Sequence, residues 1–240
     1  MKMNTTLVVN PKGGCGKTTI AINLAAAFAA DNIPATLMDY DPQGSSLSWV
    51  RSRSPHAARI NAANGAPEKF GRLRSFEMYV PPPTQQLIID APAGASGLLL
   101  QEMVERAHCI AVPVVPSVID IHATSNFIKD LVGTARIRCG EIRLAVVANK
   151  VRVTMPAYQP LLRFLESISV RLQARLLDSD AYLKAAEAGL SIFEYDPNQT
   201  VAERKQFTPI VDWAAGEHAL RGEIVEPVYQ IRQVRRVSFS

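Results

Sequence analysis

The chain has 240 residues, 48% of them hydrophobic and 20% charged, and a formal net charge of +4. That composition can bury a sizeable core and excludes global disorder, while so mild a basic excess is compatible with a polyanionic partner without requiring one. Cys15, Cys109 and Cys139 form no CxxC pair, which speaks against a disulfide framework, a zinc site or a cluster and predicts free thiols.

Met1 to Thr6 runs directly into Leu7-Val8-Val9, too short an apolar run for a signal peptide or a membrane span, so a cytoplasmic protein is expected. Thr5–Asn10 reads as a β-branched strand that stops at Pro11 and Gly13-Gly14. Lys17–Ala30 follows as an Ala- and Leu-rich helix. Ala35–Met38 is a second short strand, closed by Asp39-Tyr40-Asp41-Pro42. The stretch 52–83, broken by Pro55, Gly65, Pro67, Gly71 and Pro81 to Pro83, predicts one or two helices with surface loops.

Further strands are expected at Leu87–Asp90, Cys109–Val115 and Leu144–Ala148, with helices over Leu98–Arg106 and His122–Arg136. Strands alternating with helices imply right-handed crossovers, hence an α/β fold with a doubly wound, mostly parallel sheet flanked by helices. Helical patterns return at 156–169 and 180–188, with a strand at Arg175–Leu177 between them and Gly189 as a stop signal. A closing helix is expected over Thr200–Leu220, interrupted or kinked near Pro209. No repeat, linker or composition break divides the chain, so residues 1–222 read as one domain and 223–240 as a tail.

The segment Asn10 to Thr19, NPKGGCGKTT, ends in the GK[ST] of a P-loop and lies between an expected strand and an expected helix. Glycines without a Cβ let backbone N–H groups close on phosphate oxygens, and the helix N-terminus adds its positive dipole end. Gly13, Gly14, Cys15, Gly16, Lys17, Thr18 and Thr19 therefore form the candidate ATP cradle. In it Lys17 reaches the β- and γ-phosphates and the Thr18 hydroxyl ligates Mg²⁺. Pro11, at the strand exit, forces Asn10 to be extended. A helix N-terminus lowers a thiol pKa, yet Cys15 is read simply as a small residue that fits the loop.

With Lys12 ahead of its glycines, this loop resembles that of the ParA/MinD family of deviant Walker ATPases, KGGxGK[ST][ST]. The resemblance implies a P-loop NTPase fold, slow partner-stimulated ATP hydrolysis and an ATP-sandwich homodimer in which Lys12 reaches the partner's phosphates. Two facing ATP–Mg²⁺ units repel, and a lysine supplied in trans offsets that charge. Asp39 to Gln43 resembles the family's DxDPQ motif, which implies that Asp41 orients the attacking water and Asp39 supports the Mg²⁺ shell; capping of a turn or helix is the other reading of Asp39. Leu87-Ile88-Ile89-Asp90 is a Walker B pattern, with Asp90 acting through a Mg²⁺-bound water. The small residues Ala93 to Gly97 after it suit a switch that senses the γ-phosphate.

Val112 to Ser117 with Asp120 resembles the PxxPSxxD segment of the dimer face, and Asn149 matches the asparagine that hydrogen-bonds adenine. Lys184 to Glu194 resembles a late segment of the partition ATPases. Ser179-Asp180-Ala181-Tyr182 stands where those proteins often carry a DNA-contacting arginine, so that arginine is not carried over.

The resemblance makes a ParA-type positioning ATPase the first expectation. Its ATP dimer would bind nonspecific double-stranded DNA on the nucleoid, and a ParB-like or cargo-adaptor protein would trigger hydrolysis. The candidate phosphate-contacting residues are Arg152, Arg175, Lys184, Arg204 and Lys205, with Arg163, Arg171, Arg232, Arg235 and Arg236 also in the late basic set. The chain opens on its first strand with no helix-turn-helix ahead of it, so specific operator binding is not expected. The alternative is a MinD-like membrane ATPase using the tail Val228–Phe239, whose apolar spacing and β-branched residues suit an interfacial helix poorly. An electron-transfer ATPase resembling the nitrogenase iron protein needs bridging cysteines, and Cys109 in a buried strand and Cys139 after a helix do not supply them.

Overall fold

The computed structural model describes residues 3–67, 77–152 and 156–216. Seven strands form one sheet: β1 (Asn4–Val8), β2 (Ala35–Asp39), β3 (Ile60–Asn64), β4 (Gln86–Asp90), β5 (Cys109–Val114), β6 (Arg143–Val151) and β7 (Arg171–Leu177). Their order is β3-β2-β4-β1-β5-β6-β7 and every pairing is parallel. From β1 the chain winds to one side through β2 and β3, returns through β4, and continues to the other side from β5. The carboxyl end of β1 is therefore the switch point at which open α/β sheets bind ligands.

The helices are α1 (Lys17–Ala30), α2 (Ser45–Arg51), α3 (Gly97–Arg106), α4 (Val118–Gly133), α5 (Ala135–Arg138), α6 (Tyr158–Ser167), α7 (Ala181–Glu187) and α8 (Pro197–Ala215). Parallel strands covered on both faces are mostly apolar, and all residues of β2, β4 and β5 are buried, the terminal Asp39 and Asp90 included. Alternate side chains feed two cores. Val8, Ile88, Ala111 and Val147 pack with Ile20, Leu24, Phe28, Phe207 and Trp213 under α1 and α8. Leu7, Ile89, Ile110 and Val146 pack with Met103, Ile128, Leu161 and Leu165 under α3, α4 and α6.

Within 52–83 the structure contains β3, where helices and loops were expected. Ile60-Asn61-Ala62-Ala63-Asn64 has little intrinsic strand preference, but the free edge of β2 offers it a ladder running from Ala35 opposite Ile60 to Asp39 opposite Asn64. The loop after Asp41 also turns into α2, which the serine-rich sequence does not signal. Helix α8 begins at Pro197 and runs through Pro209 unbroken. Proline removes one backbone donor there, and packing of Phe207, Ile210 and Trp213 into the core holds the helix on both sides. Gly189, at φ +68°, stops α7: its N–H reaches the Ala186 carbonyl at 3.0 Å and the Leu190 N–H reaches that of Ala185 at 2.9 Å. The expected end of the last helix at Leu220, the tail 223–240 and Arg232, Arg235 and Arg236 lie outside the described residues. No helix among the described residues is long and apolar enough to cross a membrane.

Candidate nucleotide site

β1 delivers the glycine loop to the switch point, and buried polar groups hold its shape. Asn10, 1% exposed, donates to the Pro113 carbonyl (2.8 Å) and the Thr124 hydroxyl (3.2 Å), and its Oδ1 accepts the Lys12 N–H (2.9 Å). From the far side the end of β6 supports the loop twice. Asn149 Nδ2 donates to the Cys15 carbonyl at 2.8 Å and Lys150 Nζ to that of Gly14 at 3.1 Å. Gly16, at φ +93°, packs so closely under Asn149 that a Cβ would collide with its amide nitrogen. Asn10 is thus a site residue in the loop's scaffold, and only its place before the glycines hinted at it. Asn149, matched by resemblance to an adenine contact, has its donor on the loop.

Lys17 opens α1 and is buried, with Nζ 3.0 Å from the Lys12 carbonyl across the loop. The loop and the α1 N-terminus together form a cradle for an anion. Cys15 is buried against the loop, its Sγ donating to the Lys12 carbonyl at 3.3 Å. Burial pushes its thiol pKa up, outweighing the lowering by Lys17, so the thiol is not activated by its position at the helix start. All three cysteines are free.

Adjacent strands bring the acids together, Asp39 and Asp90 being register partners in β2 and β4, with Asp90 level with Val8 in β1. Asp39 is fully buried. Its Oδ1 accepts the Asp41 N–H at 2.9 Å, and its Oδ2 accepts those of Ser46 and Leu47 at 3.0 and 3.2 Å. It fastens the start of α2, so its contribution to a cation is charge at close range. Asp41 is half-buried, with Oδ1 on the Gln43 N–H at 2.9 Å.

Asp90 is 1% exposed and its Oδ1 has no hydrogen-bond partner. Burial, with the Asp39 charge beside it, raises its pKa to about 7, against the lowering effect of the Thr18 and Ser46 hydroxyls and of Lys17. A buried carboxylate oxygen without a partner, next to a threonine hydroxyl and the phosphate cradle, fits Mg²⁺, which is held by few protein oxygens plus phosphates and water. No group of three or more His, Cys, Asp or Glu among the described residues gathers as a metal cage.

Lys12 is placed differently from Lys17. Its ammonium is 3.2 Å from Asp120 Oδ1, the two side chains being 41% and 19% exposed. Asp120 Oδ2 accepts from the Ser117 hydroxyl at 2.7 Å, and that oxygen in turn caps α4. Beside this pair Val118 and Ile119 are each 74% exposed. Leu98, after the 93–97 loop whose Gly94 N–H binds the Pro11 carbonyl, is 84% exposed.

Among the described residues the late basic side chains differ in their surroundings. Arg204 faces inward, donating to the Ile192 and Tyr195 carbonyls (2.8 and 2.9 Å) and to the Thr200 hydroxyl (3.0 Å). Arg152 pairs with Asp178 at 2.9 Å. Arg175, Lys184 and Lys205 are exposed, Arg175 lying over the Tyr158 ring at 5.8 Å. Between α7 and α8 a cleft of about 470 Å³ is lined by Asp178, Asp180 and Glu203 as well as Lys184.

Residues 6–192 match the CobQ/CobB/MinD/ParA nucleotide binding domain. The chain is 26% identical over 195 residues to the maintenance of carboxysome distribution protein A of Halothiobacillus neapolitanus, covering 80% of this chain and 88% of that protein. Among solved structures, the septum site-determining protein MinD of Pyrococcus horikoshii, complexed with Mg-ADP, superposes with a TM-score of 0.67 at 14% identity over 91% of this chain and 98% of that one. Apo McdA of Cyanothece gives 0.63 at 16% identity, with 89% and 99% covered. The chain is a ParA/MinD-type ATPase and belongs to the CobQ/CobB/MinD/ParA nucleotide binding domain family.

Proposed function

We propose that this ATPase is a positioning switch: ATP drives two copies together face to face, the dimer binds DNA without sequence preference, and a protein partner on the cargo stimulates hydrolysis and release. The observation that carries the reading is the contrast between the two loop lysines. Lys17 is buried in its own cradle, whereas Lys12 projects to a part-exposed ion pair with Asp120, next to the exposed Val118 and Ile119. An exposed apolar rim around an unburied lysine favours a second copy docking there, with Lys12 meeting the phosphates held by that copy.

In this reading the loop N–H groups, Lys17 and Thr18 bind and orient the phosphates, Asp90 and Asp39 hold the cation side, and Asp41 aligns the attacking water. Mg²⁺, when bound, supplies positive charge to the β- and γ-phosphate oxygens. The contact to adenine falls to Asn149. DNA contact falls to the exposed Arg175, Lys184 and Lys205, with Arg152 available once it leaves Asp178. The similarity to a carboxysome distribution protein supports a cytosolic body as cargo, and the ATP dimer would sit on the nucleoid.

Light scattering with ATP, with ADP and without nucleotide tests the dimer, and binding to duplexes of unrelated sequence across a salt series tests the DNA step. The expected outcome is dimer and DNA binding with ATP alone, weakening steeply as salt rises. Equal mass and equal DNA affinity in all three states would overturn the reading.

A further inference from the structure

Asp90 Oδ1 is one of two oxygens without a partner in the carboxylate corner. The other is the hydroxyl of Ser46, which is fully buried. A buried polar oxygen left unpaired is costly, so a hydroxyl and a carboxylate oxygen unpaired in one corner call for a ligand that both can meet.

Helix α2 contains Ser45, Ser46 and Ser48. Ser45 and Ser48 are exposed and only Ser46 turns inward. Its place is fixed by its own backbone, whose N–H donates to Asp39 Oδ2 at 3.0 Å, and Asp39 is the register partner of Asp90 on the neighbouring strand. The Ser46 hydroxyl lies close enough to the Asp90 carboxyl to lower its pKa, yet neither it nor Asp90 Oδ1 has a partner in hydrogen-bonding geometry. Both Asp39 oxygens are already engaged by backbone N–H groups.

We infer that Ser46 is a positioning residue for the nucleotide's cation: its hydroxyl and Asp90 Oδ1 together hold a water of the Mg²⁺ shell. The inference rests on the reading of Asp90 as the cation residue and adds the group that orients it. Mg²⁺ keeps several of its waters, and residues that fix such waters or the carboxylates beneath them set much of its affinity. A serine at 46 supplies a hydroxyl oxygen that can accept from such a water.

The test is a Mg²⁺ titration of ADP binding, by calorimetry, on the full chain and on Ser46→Ala. ADP affinity in EDTA serves as each protein's internal reference, and thermal unfolding without ligands checks the fold. Ser46→Ala removes one oxygen from a buried site where it has no partner, so the ligand-free Tm stays level or rises. The Mg²⁺ concentration giving half of the affinity gain is expected to rise about 5- to 10-fold, as for one lost hydrogen bond to a fixed group. An unchanged midpoint with an intact fold overturns the inference, as does a fall in ligand-free Tm accompanied by an unchanged midpoint, which makes Ser46 a packing residue only. Failure of the underlying reading looks different: the unsubstituted protein itself would bind ADP equally with and without Mg²⁺.

Discussion

The corner where β1, β2 and β4 end and the surface around α7 and α8 use the same kinds of residue in opposite ways. In the corner and the loop beside it, Asp39, Asp90, Lys17, Asn10 and Asn149 are each less than a tenth exposed, and most are held by fixed partners. Around α7 and α8, Arg175, Lys184 and Lys205 stand in solvent, Arg204 turns inward, and Asp178, Asp180 and Glu203 line the cleft between them. Burial in the corner is possible because each group finds a fixed partner or awaits a ligand. An exposed cation does not need either, so its presence says little about what it binds. Polar groups held in place by a sheet therefore support an argument about chemistry, while scattered surface charge supports only an argument about a field.

The sharpest way to break this contrast lies at Asp41. In Asp41→Ala the phosphate cradle is untouched, so ATP binding should persist while turnover drops by about 100- to 1000-fold, the range for loss of a group that positions the reacting atoms. Steady-state phosphate release alongside nucleotide titration decides this, and turnover at the unsubstituted rate would reduce Asp41 to the residue that holds the Gln43 N–H.

The two lysines should separate next. Lys17→Ala is expected to weaken nucleotide binding by about 100-fold, because a buried charge-assisted contact to phosphate is lost. Lys12→Ala should retain binding within a few-fold and lose ATP-dependent dimerisation, read by light scattering. A Lys12→Ala protein that dimerises normally removes its role in trans.

On the outer surface the expected effects are smaller and of two kinds. Neutralising Lys184 and Lys205 together should weaken DNA binding by about 10-fold at low salt, flatten the salt dependence and leave Tm unchanged. Arg204→Ala should do the reverse. It strands two carbonyls, so stability is expected to fall by about 2 kcal/mol and Tm by about 4–8 °C, with little change in salt dependence. A cold-stable Arg204→Ala protein that binds DNA poorly would return that arginine to the phosphate-contacting set.

The smallest expected effect is a pH trend. Asp90 has a folded-state pKa raised to about 7 from 3.8, so the folded chain binds a proton there that the unfolded chain releases. Its contribution to stability is complete below about pH 4 and is lost as pH rises through 7. Asp90→Asn removes the buried charge. Without nucleotide or Mg²⁺ the variant's Tm advantage should therefore be small at pH 4, grow steadily as pH rises through 5 and 6, and reach its full value near pH 8. A constant gap across that range would mean that the carboxyl stays ionised.

How much of this was legible beforehand depended on how local the cause was. The glycine loop, the strand ending in Asp90 and the alternation of strands with helices are set by contiguous residues, because φ freedom, β-branching and apolar periodicity act over a few positions. Strand β3 was missed because Ile60 to Asn64 takes its conformation from the edge of β2 and not from its own residues. The unbroken course of α8 through Pro209 likewise reflects core packing that outweighs one missing backbone donor. Ser46 reads in the sequence as one serine of three, and only the turn of α2 over Asp39 sends its hydroxyl inward. Arg204 and Lys205 are neighbours of equal charge in the sequence, yet helix geometry points one at the Ile192 carbonyl and the other at water. The sequence by itself determined the fold class, the glycine loop and the strands that end in Asp39 and Asp90. The tertiary structure alone decided which side chains lose their water, since desolvation depends on neighbours distant along the chain, and that loss is what leaves Asp90 and Ser46 in need of a ligand.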